Sequence, residues 1–418
     1  MKFRLISKHA DAIGLGYKLS REGHDVSFWV KDADAKSSYK GMLRQVSDYK
    51  DGLTDDTTIL FDMVGLGALA EQLGKRYTVF GAGNINDSLE LNREFGMKVA
   101  AICGLKVPVW KRFHSFDDAR KYVESQGGDW VFKPLSNKSP LLTYVGSGDM
   151  ADMLDYYESV WKGKVDFILQ QKISGVEISI EMFFYKGKPL QSTLNSTIEM
   201  KKFLDGDRGP NTGCMGSVVR FWKKTEPKLY RLTLRKVLPF LKRFEYTGAL
   251  DCNCIVNETD KMPYFLEWTA RFGYNAIYAL CEGLGIDLGT FLHGVSHGAL
   301  DFRPSYDWLG ALRISIPPYP NDIDAKSTAG QPVDYPEDEH FWPLDVKYEN
   351  RPVTAGVDGV ICEVTGKAKT LAELEGQLYA RAESVKVPNK QYRNDIIQRA
   401  RERLEKLRDW KYDWTNIE

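Results

Sequence analysis

The segment DGDRGPNTGCMGS, Asp205 to Ser217, holds four glycines, one proline and two acids flanking a glycine, with almost no apolar content. A polar loop of this length is uncommon inside a compact domain unless it carries function. Its flanks set the frame. Before it, "DFILQQKISGVEISIEMFFYKGKPL" alternates strongly around Glu177, Ser179 and Glu181 and reads as a β-hairpin-like pair. After it, "KLYRLTLRKVLPFLKRF" reads as a helix, and "TGALDCNCIVN" and "MPYFLEWTA" read as strands.

The chain before residue 105 has a different rhythm. Strand-like "KFRLIS", "DVSFWV", "TTILFDM" and "YTVFGA" alternate with helix-like "DAIGLGYKLSREG" and "GALAEQLGKR", the pattern of a parallel α/β sheet. "NDSLELNREFGMKVAAICG" reads as one helix, capped by Asn86 or Asp87 and ended by Gly104. "SFDDARKYVESQGG" is a helix with Ser115 as its N-cap, and "WVFKPLS" is a short strand carrying Lys133. The Pro-rich stretch near residue 310 opens a further module, closed by the amphipathic helix "NDIIQRARERLEKLRDW". The fold class is therefore multidomain α/β and α+β. We expect an N-terminal α/β part over 1–105, a central part over 106–305 and a small mixed C-terminal part over 306–418.

Composition narrows the function. Lys+Arg and Asp+Glu both total 57, a zero net charge that does not indicate a nucleic-acid binder. No apolar run is long enough for a membrane span or a signal peptide. The six cysteines are scattered without a Cys-x-x-Cys pair, which fits a reduced, cytoplasmic protein. Cys252 and Cys254 read as small residues on one strand face, and His293 and His297 as structural histidines on a helix.

Several residues carry chemistry. Glu267 ends an apolar strand and is held where a strand meets a loop. Asp251 and Asn253 are two apart in the preceding strand and share a face. Oxygen ligands on adjacent strands are what a Mg2+ on phosphates needs; the bland alternative is a Glu267–Arg271 ion pair. Lys133 projects from an apolar strand, matched to a phosphate or snorkelling at an edge. Glu177 points to one face, where a carboxylate can accept from two ribose hydroxyls.

Taken in order, the lysine strand, "GVEIS", the Gly-Pro-Asn-Thr-Gly loop and "LEWTARFG" resemble the ATP-grasp ligases, and within them the glycinamide ribonucleotide synthetases (phosphoribosylamine–glycine ligases). That family typically carries DGDxGPNTGGMG, Glu-Phe-Asn-x-Arg-Phe-Gly and a late Tyr-Arg-x-Asp-Ile run; this chain has "DGDRGPNTGCMG", "EWTARFG" and "QYRNDIIQRA". The resemblance implies an ATP-grasp central part with a lid over about 108–178, ATP and Mg2+ as cofactors, and an acyl-phosphate route joining an amino-acid carboxylate, glycine favoured, to an amine-bearing small molecule or nucleotide. By position it implies Lys133, Lys138 and Lys98 on phosphates, although strict alignment puts Met97 in place of Lys98. Glu177 takes the ribose, and Glu267, Thr269 and Asn253 the metal. Lys201, Arg271, Asn211, Thr212 and Gly213 handle the reacting phosphate and carboxylate, with Glu199 and Lys202 in neighbouring family positions.

The departures cluster. The family's opening Gly-x-Gly-Gly-Arg-Glu-His-Ala loop is here "SKHADAIGLG", its Asp-Pro-Glu after Arg-Phe-Gly is "YNAIY", and its lid Gly-Lys-Gly turn is absent. Two of these face the amine substrate, so the expected acceptor differs from phosphoribosylamine. The alternatives are the authentic purine enzyme and a nucleotide-binding relative without ligation, the latter favoured by Thr269 in place of a metal-binding Asn.

Overall fold

The structure, a computed structural model, describes residues 1–135, 143–321 and 324–414. The N-terminal segment follows its expected alternation. Strands β1 (Lys2–Ser7), β2 (Asp25–Val30), β3 (Thr57–Phe61) and β4 (Thr78–Phe80) form a parallel sheet in the order β2-β1-β3-β4. Helix α1 (Ile13–Arg21) follows β1, and α2 (Gly67–Gly74) links β3 to β4. The single helix expected after β4 is two: α3 (Asn84–Leu91) and α4 (Arg93–Ile102). The break has a local cause. The Asn92 side chain accepts from Phe95 N at 3.0 Å and caps α4, as Asn does best outside the helical conformation. Asn86 is instead buried inside α3 and donates to Ala270 O at 3.1 Å, while Asp87 accepts from Gly65 N and Gly67 N.

A four-stranded antiparallel sheet follows, built from β5 (Trp110–Phe113), β6 (Trp130–Pro134), β7 (Tyr144–Val145) and β8 (Phe167–Gln171) in the order β5-β8-β6-β7. Helices α5 (Phe116–Gln126) and α6 (Met150–Val160) cover it, and Ser115 caps α5 as expected. Its core is separate and aromatic: Phe116 and Phe132 both pack on Phe167, with ring centroids 5.1 Å and 4.8 Å from it.

The central sheet has eight strands. Strands β9 (Gly175–Tyr185) and β10 (Lys188–Glu199) form the expected hairpin. The 205–217 segment is more regular than its composition implied. Strands β11 (Lys202–Leu204) and β12 (Arg208–Asn211) pair as a small hairpin before β13 (Gly216–Phe221) rejoins the large sheet. The helix expected next is split at Thr233 into α7 (Lys228–Leu232) and α8 (Leu234–Arg243). Strands β14 (Gly248–Asn257) and β15 (Pro263–Thr269) then complete one edge.

Helices α9 (Ala276–Glu282) and α10 (Leu288–His297) lead into β16 (Trp308–Ser315), β17 (Phe341–Pro343), β18 (Val346–Tyr348), β19 (Pro352–Thr354) and β20 (Val360–Ala368). The large sheet runs β15-β14-β9-β10-β13-β16-β20-β17, so strands from beyond residue 306 extend it. Helices α11 (Leu371–Ser384) and α12 (Ile396–Asp409) close the chain. Glu405, Lys406, Arg408 and Asp409 of α12 face outward while Ile396, Ile397, Ala400, Leu404 and Leu407 are buried in the main core, each such Leu or Ile stabilising by about 1.5–3 kcal/mol. Gly216 admits this packing: a Cβ there would lie 2.9 Å from Ile396 Cδ1 and 3.0 Å from Ala311 O. Among the described residues no helix is long and apolar enough to cross a membrane, and the six cysteines are unpaired.

Candidate active site

One face of the large sheet is polar at one end and apolar at the other. Side chains alternate along a strand, and directly opposed residues share a face. On β9, Val176, Ile178 and Ile180 enter the main core, leaving Glu177, Ser179 and Glu181 on the other side. The register sets Ser179 opposite Asn253, Glu181 opposite Asp251, Asn253 opposite Glu267 and Asp251 opposite Thr269. Farther along the same face Phe183 packs on Phe80 and Phe272.

Glu267 reaches this face through an irregularity. Cys254 pairs with Phe265 while Asn253 pairs with Glu267, so Leu266 is an extra residue in β15. Simple alternation would send Glu267 the way of Phe265, into the core. The bulge re-aims it onto the polar face, a common device beside functional sites.

Lys201 ties the carboxylates together. Its Nζ lies 2.7 Å from Glu177 Oε1, 3.3 Å from Glu267 Oε1 and 3.6 Å from Glu199 Oε2. Burial alone would lower the Lys201 pKa, but these acids overcome it and hold the ammonium charged. Reciprocally, Lys201 pulls the Glu267 carboxyl down to about 2. Lys133 responds oppositely: burial brings it down to about 8, against the pull of Glu267. Burial likewise raises Glu181 to about 7, where Asn195 Nδ2 donates to it at 2.9 Å.

These groups surround connected space. A cleft of about 390 Å3 is lined by Lys133, Glu177, Glu199, Lys201, Asn211 and Glu267. A recess of about 230 Å3 shares Lys133 and Glu267 with it and adds Glu90, Met97, Thr269 and Arg271. Arg271 does not pair with Glu267. Its Nε donates to Glu90 Oε1 at 3.2 Å, its Nη1 to Phe272 O at 2.8 Å, and its guanidinium lies 3.9 Å from the Tyr274 ring centroid. A third cavity, of about 200 Å3, is lined by Gly213, Tyr274, Arg313 and Asp11 among others.

The 205–217 hairpin lies between these spaces. Asn211 lines the large cleft and Gly213 the third cavity. Between them Thr212 is committed to the chain itself: its N and Oγ1 both donate to Lys201 O, at 2.7 and 2.9 Å. The tip is clamped from outside. Asp207 accepts from Arg393 Nη1 and Arg403 Nη2, each at 3.0 Å, Asp395 accepts from Gly206 N at 2.8 Å, and Asp205 accepts from Asn394 N at 2.9 Å. Cys214, in place of a family glycine, points inward; its thiol donates to Gly216 O at 3.1 Å and burial pushes it up to about 12, which makes it inert.

Of the residues expected from sequence, Lys133, Glu177, Lys201, Asn211 and Glu267 share the cleft, Thr269 and Arg271 the recess, and Gly213 the third cavity. Asn253 stands beside Glu267 with Oδ1 buried and without a hydrogen-bond partner among the described residues. An orphaned oxygen next to an ionised carboxylate and a threonine hydroxyl is a donor set suited to a hard divalent cation. Lys98 is a correction: it lies on the exposed side of α4, 2.6 Å from Glu94, and Met97 takes the inward place because helical spacing turns consecutive residues apart. Lys138 lies outside the described residues. Arg93, which lines both the cleft and the recess, was not expected; the signal was Asn92 starting a new helix beside it. Glu90 was also missed, since nothing local marks its tie to Arg271. His293 and His297 stack at 4.0 Å, with His297 Nδ1 against His293 O, as structural histidines do.

Residues 92–276 match the phosphoribosylglycinamide synthetase ATP-grasp (A) domain. A phosphoribosylamine–glycine ligase of Halalkalibacterium halodurans is 24% identical over 339 residues, covering 77% of each chain. Its counterpart in Neisseria meningitidis serogroup B is 22% identical over 96% of this chain and 99% of its own. The crystal structure of phosphoribosylamine–glycine ligase from Thermotoga maritima superposes with a TM-score of 0.71 at 17% identity, covering 94% of this chain and 100% of that one. The chain is thus an ATP-grasp ligase resembling the phosphoribosylglycinamide synthetases, an ATP-dependent enzyme that forms C–N bonds.

Proposed function

We propose that this enzyme activates an amino-acid carboxylate, glycine favoured, as an acyl phosphate and couples it to an amine on a nucleotide- or nucleobase-related acceptor other than phosphoribosylamine. The observation that carries the reading is the hairpin, whose Asn211 borders the large cleft and whose Gly213 borders a separate cavity. A phosphoryl donor on one side and an amine on the other would meet across it.

In this reading Glu177 holds the ribose of ATP, and Lys133 and Arg271 flank the phosphates and the acyl phosphate. Glu267, Asn253 and Thr269 would hold Mg2+, which when bound neutralises charge on the phosphate oxygens. The chemistry needs no protein nucleophile; alignment and charge compensation lower the barrier. Arg271 is pre-aimed by Glu90 and Tyr274, so its fork is ordered before substrate arrives. Lys201 keeps Glu267 ionised and poised as a ligand. Unpaired cysteines fit a cytoplasmic setting.

The test is ADP release from ATP and glycine, with hydroxylamine trapping the acyl phosphate as a hydroxamate. We expect hydroxamate from the unaltered protein and none from Glu267→Ala. Absence of both ADP and hydroxamate across a panel of amino acids would sink the ligase reading. The names of the relatives favour a second reading, authentic phosphoribosylamine–glycine ligase. The "SKHADAIGLG" opening favours the first, and direct competition between phosphoribosylamine and other amines separates them.

A further inference from the structure

The third cavity, of about 200 Å3, has a chemistry of its own, and the inference drawn from it rests on the ligase function proposed above. Its wall includes His9, Ala10 and Asp11, the turn that leads from β1 into α1. The first N–H groups of a helix have no partner within it, which makes such a terminus a natural phosphate site. At the N-cap and in the turn before it, the protein's own groups already take two backbone donors. Asp62 Oδ2 accepts from Ala12 N at 3.0 Å, and Ser7 Oγ accepts from Ala10 N at 2.7 Å. Asp62 is 3% exposed, so a phosphate at this turn would meet a buried acid.

The guanidinium in the wall is also answered. Arg313 Nε lies 2.7 Å from Glu363 Oε1, with both side chains buried. His9 Nδ1 lies 2.8 Å from Asp32 Oδ2. Asp345, also in the wall, accepts from the backbone N–H groups of Val357, Asp358 and Gly359. Asp11 is different. Its Oδ2 is buried and has no hydrogen-bond partner among the described residues. A buried acceptor without a donor is costly and calls for one from a ligand. Burial raises the Asp11 carboxyl above the ordinary range, against the pull of His9, Arg271 and Arg313, which makes it a better proton acceptor.

We propose that this cavity takes a non-phosphorylated acceptor, not a nucleotide, whose amine arrives as an ammonium and is received by Asp11, next to the Gly213 turn. Asp11 accepts one proton from the ammonium. The freed nitrogen lone pair forms the bond to the acyl carbon, the bond from that carbon to the phosphate oxygen breaks, and the phosphate leaves with the second proton as hydrogen phosphate. The amide nitrogen keeps the third proton.

Two probes that differ only by a phosphate test this: 2-aminoethanol and O-phosphoethanolamine, each supplied with ATP, hydroxylamine and an amino-acid panel to the full chain. Amides and hydroxamates are counted by mass spectrometry. We expect amide from 2-aminoethanol to exceed that from O-phosphoethanolamine at least about tenfold, since a like charge is rejected. Asp11→Asn should lower the ratio of 2-aminoethanol amide to hydroxamate at least about tenfold, and Asp11→Glu less, because the carboxylate is kept. Equal or better use of O-phosphoethanolamine, no amide from either probe while hydroxamate forms, or an unchanged ratio in Asp11→Asn each overturns the proposal. Absence of hydroxamate with every amino acid instead defeats the ligase reading, and this proposal with it. If Asp11→Asn does not fold, the two-probe comparison on the unaltered protein decides.

Discussion

The guanidinium of Arg393 donates to the carboxylate of Asp207 at 3.0 Å although 186 residues separate them in sequence. Arg393 is fully buried and also makes two bonds to Asp395, at 2.8 and 2.9 Å, and one to Lys202 O at 3.0 Å. The late "QYRNDIIQRA" run is therefore the outer clamp of the 205–217 hairpin. Arg393→Met removes three charge-assisted bonds, leaving Asp207 to Arg403 and Asp395 to Arg399 and Gly206 N, and should cost about 3 kcal/mol in denaturant unfolding. Asp207→Asn leaves the Arg393–Asp395 pair and should cost about 1 kcal/mol, yet lower kcat by loosening the hairpin. Equal stability of Arg393→Met and the unaltered chain would refute the clamp.

The Lys201–Glu267 pair predicts acid sensitivity. The folded Glu267 carboxyl sits at about 2, below its ordinary 4.5. Between those values the unfolded chain binds more protons, so this contribution is complete above 4.5 and drains as pH falls toward 2. Glu267→Gln should flatten the loss of stability over that window in thermal unfolding. Lys201 keeps Glu177 and Glu199 as partners, so the variant should still fold.

Lys133 predicts the alkaline limb of catalysis. Burial holds it at about 8, so its charge is present below that pH and lost above it. The profile of kcat/KM for ATP, which reports the free enzyme, should fall as pH rises through about 8. Arg stays charged throughout, so Lys133→Arg should remove that limb even if its absolute rate is lower. A limb that persists unchanged in Lys133→Arg would assign it to another group.

Gly213 separates space from stability. A Cβ there would sit 3.5 Å from the Tyr274 ring and 3.7 Å from Arg313 Nη1, both ordinary contacts. Gly213→Ala should therefore change unfolding free energy by no more than about 0.5 kcal/mol. It should raise KM for the amine acceptor while leaving KM for ATP close to normal, because only the third cavity narrows. A matched rise in both would mean that Gly213 serves the nucleotide side.

Much of this molecule is legible in one dimension. Alternation at period two marked the strands that carry Glu177, Asn253 and Glu267, because strand character is a local property. The strand–helix rhythm before residue 105 likewise announced a parallel sheet, since each βα unit is encoded within itself. Local pattern failed where a short-range competitor intervened. Asn92 capped a second helix inside an apparently continuous one, and Arg93 beside it lines the cleft and the recess.

What needed three dimensions were the relations between distant segments. The bulge at Leu266 that turns Glu267 onto the polar face exists only in pairing with β14. The tie of Glu90 to Arg271, the clamp of Arg393 on Asp207 and the Asp62 carboxylate at the start of α1 join residues 181, 186 and 50 positions apart. Residue type says that a charge seeks a partner. Which partner it finds depends on the chain paths that bring the two together, and those follow from burying the apolar faces of the sheets and helices, a force with no memory of sequence distance.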